Sequence, residues 1–220
     1  MLSQNTLKFL RDLKKHNNRG WFGANKTRYE DVKKEFDAFV NSLIREIAKF
    51  DKSVANLEVK DCVFRIYRDV RFSKDKSPYK THFGAHIVPG GKKAELSRAG
   101  YYIHISPGEC FLAGGAHTPP SEWISAIRKE IHYNGNEMKK IISGKDFKKY
   151  FGTISGEKLS SVPRGYEKTH PDIELLKHKS FLAVHDLNEK QVQSKDFLSH
   201  CTKVFKAMKP FDKFLNQSLD

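Results

Sequence analysis

The chain has 220 residues, which is enough for a substantial hydrophobic core and few enough for one domain, so we expect a single domain over residues 1–220. Three widely spaced cysteines exclude a disulfide framework, and no apolar run is long enough to cross a bilayer. A formal net charge of +14 favours an anionic partner such as nucleic acid or a phosphorylated metabolite. We therefore expect a basic, cytoplasmic protein without a membrane partner; the oligomeric state stays open.

The first fifty residues are predicted to form two helices. Ser3 can cap the first, which ends near residues 17–20. The second runs from about Asn25 to Phe50 and carries one long apolar stripe. Aromatic side chains at this spacing are typical of a core face.

From Val59 the apolar pattern alternates, which indicates strands. The pattern predicts a short strand at 62–67 and an antiparallel meander of three strands at 82–88, 100–105 and 110–113, separated by glycine-containing turns. Alternation places four polar side chains on the face opposite the core: His82, His86, Tyr102 and His104.

The second half is predicted to add helices and one more strand. A helix begins after Thr118 with two prolines at its start, a strand is expected over Phe181 to Val184, and a last helix begins at Ser194 and is broken or kinked at Pro210. The predicted fold class is α+β: an antiparallel meander sheet with helices packed on one face and the N- and C-terminal helices flanking it.

An unusually basic segment, residues 64–82, joins the helical half to the meander. Its arginines suit bidentate recognition of phosphate or carboxylate, and its lysines supply mobile positive charges. The alternative is an exposed loop of arginine–aspartate pairs. Because Tyr67, Val70 and Phe72 alternate with the charges, we predict that Arg68, Asp69 and Arg71 are partly buried, hydrogen-bonded to one another and line a concavity.

The pattern R-x-x-R-D-x-R-F-x-K-D-K-x-P-Y-K at residues 65–80 resembles the signature of an uncharacterised family of bacterial and fungal proteins of about this length. Two later segments also resemble it: G-Y-Y-x-H-x-x-P-G-E at 100–109 and P-R-G-Y at 163–166, followed by H-P and E-L-L-K. The resemblance spans nearly the whole chain and implies no particular activity.

Two further groups of residues could contribute to a site. The segment 163–179 carries cationic and aromatic side chains that could join the arginine-rich segment, or it could be a packed connection. The histidines of the meander could serve acid–base chemistry; they lack the spacing of known metal motifs, so we assign no metal ligand, and no cofactor is identified.

These observations give one set of candidates for proton transfer and one for ligand binding. The proton-transfer candidates are Asp69, Tyr79, His82 and His104. The ligand-binding candidates are Arg65, Arg68, Arg71, Lys74, Lys76, Lys80, Arg164, Tyr166 and Lys177. The leading hypothesis is a protein that binds, and as an enzyme would act on, a small phosphorylated or carboxylated molecule; the alternatives are a nucleic-acid-binding module that stacks bases on Tyr67, Phe72 and Tyr79, and a non-catalytic interaction protein.

Overall fold

The computed structural model describes residues 1–94 and 97–219. Four strands form one antiparallel sheet in the order β1–β2–β3–β4. They are β1 (Phe83–Ile87), β2 (Gly100–Ile105), β3 (Cys110–Ala116) and β4 (Phe181–Leu187). The predicted α+β class and meander are confirmed.

The cross-strand register separates two faces of the sheet. Ala85 pairs with Ile103, and Ile103 pairs with Leu112, so the core side chains of three strands lie in one row. The opposite face, which we call the open face, carries the alternate residues, including His86 paired with Tyr102. Side chains that alternate along a strand point to opposite faces, as the sequence pattern indicated.

Helices cover the core face. They are α1 (Gln4–Lys15), α2 (Arg19–Ala24), α3 (Lys26–Ala48), α4 (Val59–Cys62), α5 (Ser121–Ser143), α6 (Lys145–Phe151), α7 (Ile173–Leu176), α8 (Glu189–Val192) and α9 (Phe197–Gln217). Short 3-10 turns lie at Lys52–Val54 and Gly91–Ala94. The long helices α3 and α9 pack on each other and on the sheet, and Phe36 of α3 stacks on Phe83 of β1 at 5.2 Å between ring centroids.

Glycine allows α9 to approach the sheet closely. A side chain at Gly114 would overlap the sulfur of Met208 on α9, and the next residue, Gly115, has a positive φ of 107°. L-residues with side chains rarely adopt that conformation. The two glycines interrupt the apolar alternation, which is why the sequence predicted that β3 ends at residue 113 rather than Ala116.

Three other predictions differ from the structure. The strand predicted at 62–67 is absent from the described residues: Glu58 and Asp61 form a capping box that starts α4, and only isolated bridges such as Val63 to Ala85 follow. Between the two helices predicted for the first fifty residues lies a further helix, α2, which begins after the side chain of Asn18 caps the backbone N–H of Trp21. Helix α9 runs through Pro210 from Phe197 to Gln217, so the break that the sequence allowed at this residue does not occur.

The described residues include no helix that is both long and apolar enough to span a membrane. Cys62, Cys110 and Cys201 are all free and buried.

Candidate functional site

The basic segment folds back along the outer edge of β1 as an irregular hairpin. We call residues 63–81 the edge hairpin. The N–H of Phe64 donates to the carbonyl of Gly84 on β1 at 3.0 Å, and the N–H of Lys80 donates to the carbonyl of Ile66 at 2.7 Å. The base of this hairpin therefore stands beside the open face, while most residues of its tip, residues 69–77, are exposed.

A cavity of about 530 Å³ lies on the open face, between the edge hairpin and β4. This volume is typical of pockets that bind small molecules. The lining residues are Phe64, Lys80, His82, His86, Gly100, Tyr102, His104, Phe111, Ala113, Gly114, Gly115, His117, Thr118, Leu182 and Val184. Of the sequence-derived candidates, the structure brings Lys80, His82 and His104 together here.

His104 on β2 contacts three other rings of the cavity. Its imidazole is stacked on Phe111 of β3 with ring centroids 4.6 Å apart, and it lies 4.3 Å from the ring of His82. The hydroxyl of Tyr102 is 3.0 Å from His104 Nδ1. Tyr102 donates this hydrogen bond where the imidazole hydrogen of His104 is on Nε2, and it accepts the bond where that hydrogen is on Nδ1.

Gly84 provides the space that the Tyr102 side chain occupies. A Cβ atom at Gly84 would lie only 2.8 Å from the Tyr102 hydroxyl oxygen. The absence of a side chain on β1 thus lets a tyrosine on β2 lie across the sheet and reach His104.

Burial keeps three imidazoles of the cavity neutral. Desolvation lowers the pKa of His82, His86 and His104 to about 4 each. For His82, the neighbouring His104 and Lys80 lower the pKa further, whereas Glu109 opposes the shift. At neutral pH these histidines can therefore accept or donate hydrogen bonds without carrying charge.

Lys80 places a positive charge at the wall of the cavity. Its Nζ lies 5.0 Å from the centroid of the Phe64 ring, a cation–π distance. Since Phe64 and Lys80 are both held at the base of the edge hairpin, the hairpin supplies one apolar and one cationic group to the open face.

The tip of the edge hairpin is held together by local ion pairs outside the cavity. Asp69 accepts hydrogen bonds from Nε and a terminal nitrogen of Arg71 at 3.0 and 2.7 Å, and the Arg71 side chain is 76% exposed. Arg68, 25% exposed, instead binds Asp75 and the carbonyl of Ser77. The prediction that all three charged residues are partly buried in a concavity is wrong for Asp69 and Arg71; their pairing with each other is present.

Other candidates of the edge hairpin also lie away from the cavity. The Tyr79 ring is buried and stacked on Phe22 at 3.9 Å, so it belongs to the core and offers no surface for a base. Arg65, Lys74 and Lys76 are exposed, and Lys76 Nζ donates to the carbonyl of Val70 at 3.0 Å.

The segment 163–179 packs against helix α5. Arg164 is exposed, Tyr166 lies 5.7 Å from the ring of His132 on α5, and Lys177 pairs with Glu174. Among the residues that the structure describes, none of this segment lines the cavity. The segment 163–179 and the arginine-rich segment therefore do not meet in this cavity.

Several cavity residues were not identified from the sequence, among them Phe64, Phe111, His117, Leu182 and Val184. Alternation along each strand signalled which residues share a face, but it did not show that β4 pairs with β3. Within the described parts of the chain, no three His, Cys, Asp or Glu side chains are grouped to hold a metal ion.

The family model of a conserved hypothetical protein, DUF2461, matches residues 5–214. The chain belongs to this family. Neither the comparison with curated proteins nor that with solved structures gave a match. The match includes every residue that lines the cavity, and the family description carries no activity, so function is inferred from the geometry of the open face.

Proposed function

We propose that the open-face cavity binds a small organic molecule that carries a phosphate or carboxylate group. The observation that supports this proposal is the convergence of Lys80, His82 and His104 on one largely apolar cavity. An anionic group would accept hydrogen bonds from the lysine and from an imidazole N–H, and removal of water from the cavity would strengthen both interactions.

His82 and His104 are the proposed proton-transfer groups. Their imidazoles are neutral at pH 7, and a bound anion would favour their charged forms and raise both pKa values toward neutrality. An imidazole of pKa near 7 is suited to general acid–base chemistry. Asp69 and Tyr79, which lie outside the cavity, have no role in this proposal.

A thermal-shift screen of carboxylates and phosphate esters tests the proposal, since a ligand that binds only the folded chain raises the melting temperature. The paired variants Lys80→Gln and Arg71→Gln separate the cavity from the hairpin tip. Binding in the cavity predicts that Lys80→Gln abolishes the ligand-induced shift and that Arg71→Gln retains it. The reverse result, or no shift with any compound at millimolar concentration, would refute the proposal.

A second candidate function, binding of single-stranded nucleic acid, is favoured by one observation at the hairpin tip. Phe72 is 95% exposed and lies beside Arg71, and Tyr67 is also exposed. Exposed aromatic rings among cations can stack on bases. This candidate predicts that an oligonucleotide binds more weakly as salt is raised and that Phe72→Ala reduces its affinity; unchanged binding in Phe72→Ala would rule it out.

A further inference from the structure

Two histidines from different elements meet at the outermost strand of the sheet, on the face opposite the cavity. His185 of β4 pairs with Leu112 of β3, and Leu112 pairs with Ile103 of β2, so His185 continues a row of core side chains. His200 lies in the first turn of α9. The Nε2 atoms of the two imidazoles are 3.0 Å apart, and both residues are half-buried. Two polar rings therefore end this row where solvent still reaches them.

A backbone carbonyl orients the ring of His185. Its Nδ1 atom lies 2.9 Å from the carbonyl oxygen of Tyr150 on α6. Since a carbonyl oxygen only accepts hydrogen bonds, Nδ1 carries the hydrogen, and Nε2 of the neutral ring presents its lone pair. Histidines that bind metal ions commonly have this arrangement, in which one ring nitrogen donates to a carbonyl and the other faces the ion.

His200 can present the lone pair of its Nε2 atom as well. When the two rings are hydrogen-bonded to each other, His200 must donate from Nε2, because Nε2 of neutral His185 carries no hydrogen. Among the described residues, none forms a hydrogen bond with Nδ1 of His200, so the hydrogen can move to Nδ1 without the loss of another bond. Desolvation, followed by the neighbouring His185, lowers the pKa of His200, which keeps its ring neutral at pH 7.

The separation of the two Nε2 atoms suits coordination of one transition-metal ion by both rings. Imidazole nitrogens bind Zn²⁺ at about 2.0 to 2.1 Å, so two of them on one ion lie about 2.9 to 3.4 Å apart, from right-angle to tetrahedral geometry. The separation of 3.0 Å falls in this range. Lys149 and Lys203 lie near His200 and oppose a cation, so the ion must bind imidazole strongly. Zn²⁺, Ni²⁺ and Cu²⁺ do so, whereas Mg²⁺ and Ca²⁺ prefer oxygen ligands.

A second close pair of histidines lacks this freedom and provides an internal control. Nδ1 of His132 on α5 lies 2.8 Å from Nε2 of His170. The backbone N–H of Asp172 donates to Nδ1 of His170 at 3.0 Å, which places the hydrogen of the neutral His170 ring on Nε2. This Nε2 atom cannot face an ion unless the hydrogen bond from Asp172 is broken. The bond at the other ring nitrogen therefore decides which of the two pairs can chelate an ion.

We infer that His185 and His200 bind one late first-row transition-metal ion, Zn²⁺, Ni²⁺ or Cu²⁺, through their Nε2 atoms. The part of the chain that the structure describes groups no third His, Cys, Asp or Glu side chain with them, so water or a group from another molecule completes the coordination. The site lies on the other face of the sheet from the open-face cavity. It is therefore independent of the proposed function.

Calorimetric titration of the full chain with NiCl₂, ZnCl₂ and MgCl₂ tests the inference. Ni²⁺ and Zn²⁺ should bind, and Mg²⁺ should not. Because loss of even an outer-shell partner of a metal ligand weakens binding about tenfold or more, His185→Gln and His200→Gln should each weaken Ni²⁺ binding by at least that factor. The matched variant of the control pair, His132→Gln, should bind Ni²⁺ as tightly as the wild type.

Paramagnetic broadening of NMR signals by Ni²⁺ locates the ion on the wild-type chain, so the test holds even where a variant fails to fold. The ring signals of His185 and His200 should broaden first, while those of His132 and His170 remain sharp. Earlier broadening of the control pair or of the cavity histidines would overturn the inference. Equal weakening by His132→Gln and His200→Gln, or no binding of Ni²⁺ and Zn²⁺ at millimolar concentration, would overturn it as well.

Discussion

The hydroxyl of Tyr102 lies 3.0 Å from Nδ1 of His104, two residues further along the same strand. Both side chains face the cavity because residues i and i+2 of a strand share a face. The contact fixes the orientation of an imidazole that also packs on Phe111 and His82. His104 is thereby held in place before any ligand arrives, which is the condition for an effective binding or proton-transfer group.

The substitution Gly84→Ala tests this contact without altering either partner. The new methyl group would lie 2.8 Å from the Tyr102 hydroxyl oxygen and displace it. We expect a change in the ¹⁵N shifts of the His104 ring and a loss of about 1 kcal/mol in the free energy of unfolding, the size of one hydrogen bond. Gly23→Ala is the control, because a Cβ there meets no atom within 4 Å; His104 shifts that stay the same in Gly84→Ala would contradict the assigned contact.

The buried imidazoles predict a pH dependence of stability. The pKa of His82, His86 and His104 is about 4 in the folded chain, below the value of about 6.5 expected when unfolded. Between these values the unfolded chain binds more protons, so the stabilisation present above pH 6.5 is lost as the pH falls toward 4. For His82, neighbouring groups also change the pKa. His104 and Lys80 lower it further, whereas Glu109 raises it.

Urea unfolding of wild type and His86→Gln at pH 7 and pH 5 measures this dependence. The wild type should lose stability between the two pH values, and His86→Gln should lose less, because one of the desolvated imidazoles is gone. The exposed histidine His16 provides the control substitution, His16→Gln, which should show the wild-type difference. Equal losses in His86→Gln and wild type would show that His86 does not titrate as described.

The two arginines of the hairpin tip are expected to differ in their effect on stability. Arg71 is largely exposed, and among the described residues it forms an ion pair only with Asp69, so Arg71→Ala should change the free energy of unfolding by about 0.5 kcal/mol or less. Arg68 bridges Asp75 and the Ser77 carbonyl across the hairpin, so Arg68→Ala should cost about 1 kcal/mol or more. Chemical denaturation measures the free energy of unfolding of both variants. Equal losses in the two variants would mean that Arg68 does not stabilise the hairpin.

Periodicity in the sequence predicted most of the fold and half of the cavity. The strands β1 and β2 have clear alternation, which correctly placed His86, Tyr102 and His104 on one face. The apolar half could not be predicted, because β4 follows β3 only after three helices and its pairing with β3 depends on long-range packing. A local pattern contains no information about that register.

The arginine-rich segment was misjudged for a related reason. Alternation of Tyr67, Val70 and Phe72 with charged residues suggested that the charges lie near a core, yet Phe72 is 95% exposed. The segment leaves the sheet edge at Arg68, so its tip has no layer to pack against. An alternating pattern implies burial only where a partner surface is present.

Asp212 on α9 predicts a stabilising substitution. Its carboxyl group is buried, and neither oxygen has a hydrogen-bond partner of ordinary geometry among the described residues. Desolvation, with a smaller contribution from the charge of Asp51, raises its pKa well above the usual value. The stability associated with the protonated form is complete below about pH 4 and is lost as the pH rises through the raised pKa.

Asp212→Asn removes this titration with little change in volume. At pH 8 the variant should be at least as stable as the wild type, and its advantage should shrink as the pH falls to 5. Thermal unfolding across that range measures the difference. A variant that is less stable than wild type at every pH would show that the carboxyl group makes a stabilising contact as an anion.

The central claim, that the open-face cavity is the anion-binding site, is tested most directly by mapping NMR chemical-shift changes during titration with 4-phenylbutyrate and with glucose 6-phosphate. The account predicts that whichever compound binds shifts the His104 ring signals and the methyl signals of Ala113, Leu182 and Val184, and leaves Arg71 and Phe72 unchanged. Shifts confined to Arg71, Phe72 and the rest of the hairpin tip would contradict it.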